Sequence, residues 1–235
     1  MRKNGIWGQI VCGACCGLVA LGLSIASAVG TPAQAEVQIQ VYGGVNGNFS
    51  SDVSLHSGGS VDTRSVDWEG KPFEMPPYWG VRGVYWMDSW PGWGLALEFT
   101  HAKAYAKLNG TSAGLLYDTL EFTDGNNIFT GNLMYRFTPW QFYNIRPYAG
   151  FGIGFTVPHV EVSLVSDARK TFEYQLAGVA GQGFVGLEMP FGRNWSGFVE
   201  AKLSYTHINA NIVDGDHLKT DIWSPHFAIG LAYRF

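Results

Sequence analysis

Beyond residue 35 the chain contains no cysteine, because Cys12, Cys15 and Cys16 all sit near the N-terminus. Disulfides, thiolate metal ligands and a cysteine nucleophile are therefore excluded from the remainder. Charge is scarce as well. Only 14% of residues are charged and the net charge is −4, which excludes the basic face that nucleic-acid binding needs. After Val29 no apolar run reaches the length of a membrane-spanning helix. Catalytic signatures such as G-x-S-x-G, H-E-x-x-H and a phosphate-binding glycine loop are missing, and the single C-x-x-C lies at Cys12 to Cys15.

What is present starts with an export signal. Arg2 and Lys3 precede an apolar stretch from Ile10 to Val29, followed by Ala33-Gln34-Ala35. This is the pattern of a signal peptide over residues 1–35, with a mature chain of 36–235. An uncleaved anchor is the rival reading. The small residues at the cleavage site and the helix breakers Gly30 and Pro32 speak against it. The composition is 46% hydrophobic and 15% aromatic, with 31 glycines. An exported, apolar, glycine-rich chain without disulfides fits a barrel whose outside meets lipid and whose inside is polar.

Alternation of period two supports an all-β fold. Phe227, Ile229, Leu231, Tyr233 and Phe235 alternate with Ala228, Gly230, Ala232 and Arg234. Similar runs lie at Val37–Val45, Trp79–Met87, Trp93–Phe99, Phe129–Phe137, Ala149–Phe155, Val185–Met189 and Val199–Tyr205. Together they predict a transmembrane, antiparallel, up-and-down β-barrel of about eight strands. A terminal Phe on such a strand resembles the signal read by the outer-membrane assembly machinery, an expected partner during biogenesis. A closed barrel has no free edges and needs no second copy, so a monomer is expected.

Connections alternate between short, as at Asp88–Gly92 and Pro190–Asn194, and long, as at Ser50–Pro77. Long external and short periplasmic loops set the orientation. Pairing residue 87 with 93 puts Arg82 opposite Glu98, both facing inward. Arg136, Glu188, Glu200 and Lys202 share that inward parity, which predicts charge neutralisation inside a filled lumen. An ion-selective pore is the functional alternative. The inward Gly150, Gly152 and Gly154 leave room for neighbouring side chains or a small cavity.

Continuing the lipid-facing positions toward the outer end brings His101, Lys103, Glu121, Thr123, His159, Glu161, Glu173 and Gln175 into one band. Approximate registers set His101 opposite Thr123, Lys103 opposite Glu121 and Glu161 near Glu173. Imidazoles with carboxylates suit a divalent metal or acid–base chemistry. The plainer reading is that polar residues above the hydrocarbon simply sit among sugar and phosphate headgroups. Spacing alone leaves both open.

The runs Trp68-Glu69-Gly70, Phe73-Glu74-Met75-Pro76-Pro77-Tyr78, Glu98-Phe99-Thr100-His101-Ala102-Lys103, Leu120-Glu121-Phe122-Thr123-Asp124-Gly125, Pro158-His159-Val160-Glu161-Val162 and Phe172-Glu173-Tyr174-Gln175 resemble the lipid A oxidase family of alphaproteobacterial outer membranes. The resemblance covers nearly all of 36–235, apart from Ser50–Val66 and Gly110–Leu116. It implies an oxidoreductase that converts the proximal glucosamine of lipid A to 2-aminogluconate with dioxygen as oxidant. Lipid A, or lipopolysaccharide, becomes the expected partner. On this resemblance His101 and His159, with Glu161 and Glu173, would hold a divalent metal or polarise the sugar hydroxyl. Glu121 would be the base, Lys103 would meet a lipid A phosphate, and Glu74, Tyr78 and Tyr174 would shape the site. A non-catalytic barrel, whether envelope-stabilising, adhesin-like or a minor channel, is the competing expectation.

Overall fold

The computed structural model describes residues 36–137 and 144–235. The expected signal peptide and most of the turn after Phe137 lie outside the described residues. The strands are β1 (Glu36–Asn46), β2 (Ser51–Ser57), β3 (Ser60–Val66), β4 (Trp68–Glu69), β5 (Trp79–Trp86), β6 (Trp93–Ala106), β7 (Tyr117–Arg136), β8 (Arg146–Leu164), β9 (Asp167–Tyr174), β10 (Gly178–Phe191), β11 (Trp195–Asn211) and β12 (His217–Arg234). Antiparallel pairing runs β1-β5-β6-β7-β8-β10-β11-β12 and returns to β1. These eight strands close the ring. Closure leaves the wall without an edge, as a chain crossing hydrocarbon requires.

The other strands belong to the external end. β2 and β3 form a hairpin that joins β12, β4 extends the sheet beside β6, and β9 folds back on β8. Ser50–Pro77 is expected from the sequence to be a long external loop. Its Val53, Leu55 and Val66 instead fold inward onto the barrel top.

The wall follows the alternation. Leu97 and Ile153 are more than three-quarters exposed to the lipid side, while Ala96, Glu98 and Gly152 face inward. Two aromatic belts bound this apolar band, as interfacial rings do. Trp79, Phe99, Phe129 and Phe155 follow one another at centroid distances of 5.1, 5.0 and 5.2 Å on the external side. Trp93–Tyr135 and Trp195–Tyr233 mark the other side, at 5.0 and 4.9 Å.

Inside, the barrel has two storeys. The lower one is ionic. Residue 82 does pair with 98, and Arg82 Nε donates to Glu98 Oε2 at 2.9 Å. The same guanidinium donates to both Glu200 oxygens, at 2.7 and 2.8 Å, and to Gln40 Oε1 at 3.0 Å. Lys202 donates to Glu98 and lies 3.6 Å from Glu200. Tyr42 and Gln182 donate to Glu98, and Tyr148 to Glu200. Asn132 of β7 joins through Glu98, so one network ties β1, β5, β6, β7, β8, β10 and β11. Two cations balance two carboxylates, and hydrogen bonds use their remaining capacity. Buried charge is tolerable only under those conditions.

Inward glycines let this layer fill. A Cβ on Gly80 would come 2.2 Å from the Tyr42 ring, and one on Gly150 would come 2.4 Å from Phe184. Each of these glycines sits directly across the strand pair from the ring it admits. The room expected at Gly150 and Gly152 is thus taken by Phe184 and Asn132.

The upper storey is apolar. Val53, Leu55, Trp68, Phe122, Val160 and Ile208 belong to a buried cluster that fills the external end, and Trp68 stacks on Phe122 at 5.7 Å. Burying this surface holds the β2–β3 hairpin on the barrel.

Arg82→Met should cost about 3–5 kcal/mol, because it strands two buried carboxylates against one remaining cation. Adding Glu98→Gln, which restores charge balance, should recover part of the loss. The midpoint of heat-dependent mobility change on gels measures both. A single variant as stable as the wild type would contradict the role given to the network.

Candidate functional site

The sequence-selected band sits above the external aromatic belt. Its geometry depends on one irregularity. Between Glu121 and Asn126, β7 carries two residues more than either neighbour needs, so the register shifts against both β6 and β8. Such a bulge re-aims side chains without changing the wall. In consequence His101 opposes Asn127 rather than Thr123, and Tyr105 rather than Lys103 opposes Glu121. Gly125 has φ +103°, and a Cβ there would lie 2.4 Å from His101 Nδ1. Only glycine fits this position.

The two histidines are packed beneath neighbours. His101 is 5% exposed; its Nδ1 pairs with Asn127 Oδ1 at 2.9 Å. Its buried Nε2 has no hydrogen-bond partner among the described residues, and the Pro76 backbone is near the ring. His159 lies under the rings of Phe172 and Tyr174, at 4.3 and 4.7 Å, with Asp124 Oδ2 3.8 Å from its Nδ1. Lys103 is 1% exposed and donates to the Glu74 carbonyl at 2.8 Å. Residues 71–77 cross the outer wall of β6 there and cover it. Lys103 was expected to meet a phosphate; its ammonium is instead committed to this crossing segment.

Carboxylates of the band remain accessible. Thr123 donates to Glu161 Oε2 at 2.8 Å, and Lys170 donates to the other oxygen. Burial works against ionised Glu161, but the Lys170 and Thr123 hydrogen bonds outweigh it and hold the carboxyl below its ordinary range. Glu121 pairs with Glu161 across β7 and β8. Burial, and then the Glu161 charge, raise its carboxyl above the ordinary range. Glu74 keeps its side chain exposed, 3.7 Å from Lys71, and Lys71 lies 4.2 Å over the Tyr105 ring.

Two expected site residues lie elsewhere. Glu173 pairs with Val160, whose side chain is in the buried cluster, whereas His159 pairs with Tyr174 and Glu161 with Phe172. Glu173 therefore has the opposite parity to His159 and Glu161. The cause is a break at 175–177, where Gln175 bonds the Asn211 backbone in both directions and Ala177 is buried. Outward parity carried down from β10 does not survive that break. Tyr78 also points inward, 6.2 Å from Tyr42 and 5.5 Å from His226. The alternation of Gly80 and Arg82 already implied this for Tyr78.

Among the described residues no group of three or more His, Asp or Glu side chains has metal-binding spacing. The set His101, His159, Glu161 and Glu173 is not assembled, and the residues present do not fit the expected divalent ion. Sequence reasoning missed Asn127, Phe172, Lys71 and Lys170. The bulge and the crossing segment that recruit them have no period-two signature.

An edgeless barrel with a lipid-facing apolar band, two aromatic belts and a filled polar interior defines a transmembrane barrel of an outer membrane. The family model for the outer membrane protein beta-barrel domain matches residues 18–235, and the chain belongs to that family. Among solved structures, OprG from Pseudomonas aeruginosa is 16% identical, with 86% of this chain and 96% of that chain covered at a TM-score of 0.51. Neisserial surface protein A is 11% identical, with 86% and 100% covered at a TM-score of 0.46. At such identities the likeness concerns fold alone. Nothing among the curated proteins matches.

Glu121 gives a pH test. A carboxyl raised in the folded state favours its neutral form, so stability falls as pH rises through the unfolded-state value, and the loss is complete above the raised folded one. Glu121→Gln should stabilise the barrel at pH 8 by under about 1 kcal/mol, seen as a higher unfolding midpoint, since the site is partly solvated. Near pH 3.5, below the ordinary Glu value of about 4.3, the difference should vanish. A destabilised variant at pH 8 would contradict the placement beside Glu161.

Proposed function

We propose that this outer-membrane barrel works at its outer wall, where a mixed-charge band engages the sugar–phosphate headgroups of outer-leaflet lipopolysaccharide. The observation that carries this reading is the division of polar groups. The lumen is filled by a self-neutralised network below and an apolar cluster above, while on the outside above the belt Lys107 and Lys170 are exposed and Lys71, Glu121 and Glu161 partly so, the lysines paired with Glu69, Glu161 and Glu74. Lysines there suit headgroup phosphates and carboxylates suit sugar hydroxyls. The partner is lipid A, met from the side, and no route through the barrel is needed.

A second reading is catalytic: oxidation of the proximal glucosamine of lipid A to 2-aminogluconate, with dioxygen as oxidant. In its favour, His101, Lys103, Glu121, His159 and Glu161 all fall on one outer-wall band, and Glu121 is biased toward holding a proton as an acid–base group must. Against it stand the burial of His101, Lys103 and His159 and the scattered metal donors. The non-catalytic reading accounts for more of the geometry.

One set of strains separates the two. Lipopolysaccharide retained on the purified barrel should fall about fivefold for each of Lys71→Gln and Lys170→Gln, corresponding to about 1 kcal/mol per lysine near an anionic surface. Lipid A from expressing cells should keep its mass. Gain of one oxygen, lost in Glu121→Gln, would establish the oxidase in its place. Neither retention nor modification would overturn both.

A further inference from the structure

We infer that residues 71–77 form an apolar strap that dips into the outer-leaflet lipid and anchors the external rim of the barrel. The two most exposed large apolar side chains among the described residues are Met75 and Phe73, at 84% and 80%. They are close in sequence, and they project from a segment that is held firmly. Glu74 N–H donates to the Lys71 carbonyl at 3.2 Å and Tyr78 N–H to the Pro72 carbonyl at 2.9 Å. Lys103 donates to the Glu74 carbonyl from below, and Lys71 sits over Tyr105. At its ends the strap joins inward groups. A Cβ on Gly70 would strike the Asn46 carbonyl at 2.1 Å, and Tyr78 is buried inside the barrel. A pinned segment cannot collapse to hide Phe73 and Met75, so their exposure is built in. Paired exposed apolar groups on a fixed support mark a contact surface.

Height on the wall identifies what they touch. The strap crosses β6 between the levels of Tyr105 and His101, and His101 is only two residues beyond Phe99 of the aromatic belt. At about 3.3 Å per residue and a tilt of roughly 40°, its lower end stands about 5 Å above the belt. The polar layer on each side of a bilayer is about 5–8 Å deep. Met75 and Pro76 therefore lie within that layer. The patch is continuous with the lipid-facing wall through Trp79, which stacks near His101 at 6.4 Å and is itself 42% exposed. The occupant is the upper acyl and interfacial region of a membrane lipid. A bilayer of any lipid supplies that chemistry, so this inference does not depend on recognition of lipid A.

Single-cysteine labelling tests it on the whole chain, purified from outer membranes and reconstituted into phosphatidylcholine vesicles. All native cysteines fall within residues 1–35, and they are replaced by serine in the background. An environment-sensitive fluorophore is placed at Phe73→Cys or Met75→Cys, and at Ser57→Cys beside the exposed hairpin tip as reference. Heat-dependent mobility on gels confirms folding of each. Quenching by lipids spin-labelled near the headgroup should be at least twofold greater at 73 and 75 than at 57, with matching protection from aqueous iodide. Lys103→Met, which releases the strap, should bring both signals toward those at 57. Equal iodide access at all three positions would overturn the inference. So would protection from iodide without lipid quenching, which would place a protein surface over the strap.

Discussion

Arg82 is the residue on which the interior depends. Its guanidinium lies between Glu98 and Glu200 with no exposure, and Lys202 completes the charge balance. Each group would be costly alone in a barrel surrounded by hydrocarbon; together they form a neutral layer bonded to nearly every strand. At the level of that layer Arg82, Glu98, Glu200 and Lys202 are all buried in the lumen. The external strands then close the other end with apolar side chains. Exposed and partly exposed polar groups above the belt lie on the wall and the external rim.

The outer band owes its form to the two extra residues on β7. The bulge they create sets Thr123, Asp124 and Gly125 between the two histidines. Asp124 approaches His159 on one side, and Gly125 lies against His101 on the other. The strap over β6 and the β9 return over β8 then cover Lys103, His101 and His159. Lys103 bonds the Glu74 carbonyl of the strap, His159 packs against the rings of Phe172 and Tyr174 on β9, and His101 pairs with Asn127 of β7. Their chemistry is that of a reaction centre, and their surroundings bury all three.

Period two made the membrane wall legible because a strand between lipid and a filled lumen must alternate. The pairing of 87 with 93 brought Arg82 to Glu98 correctly, since the Asp88–Gly92 turn is tight and the strands beyond it are regular. Above the belt the two solvents no longer impose that contrast, and alternation loses its hold. Glu173 shows the consequence: three residues at 175–177 reset the parity, and nothing in their side chains announces it. Tyr78 is the opposite case. Its inward parity could be read from Gly80 and Arg82, whereas the family resemblance set it beside the outer-wall site. The β2–β3 hairpin was hidden because its apolar residues cover the barrel top and not the membrane face.

The central claim is that this barrel is sealed and acts from its outside. Single-channel recording on the purified, folded barrel in planar bilayers tests this. The account predicts a silent membrane, and also predicts that Arg82→Met/Glu98→Gln stays silent because the apolar storey above is untouched. Steady ohmic conductance from the wild-type barrel would contradict it.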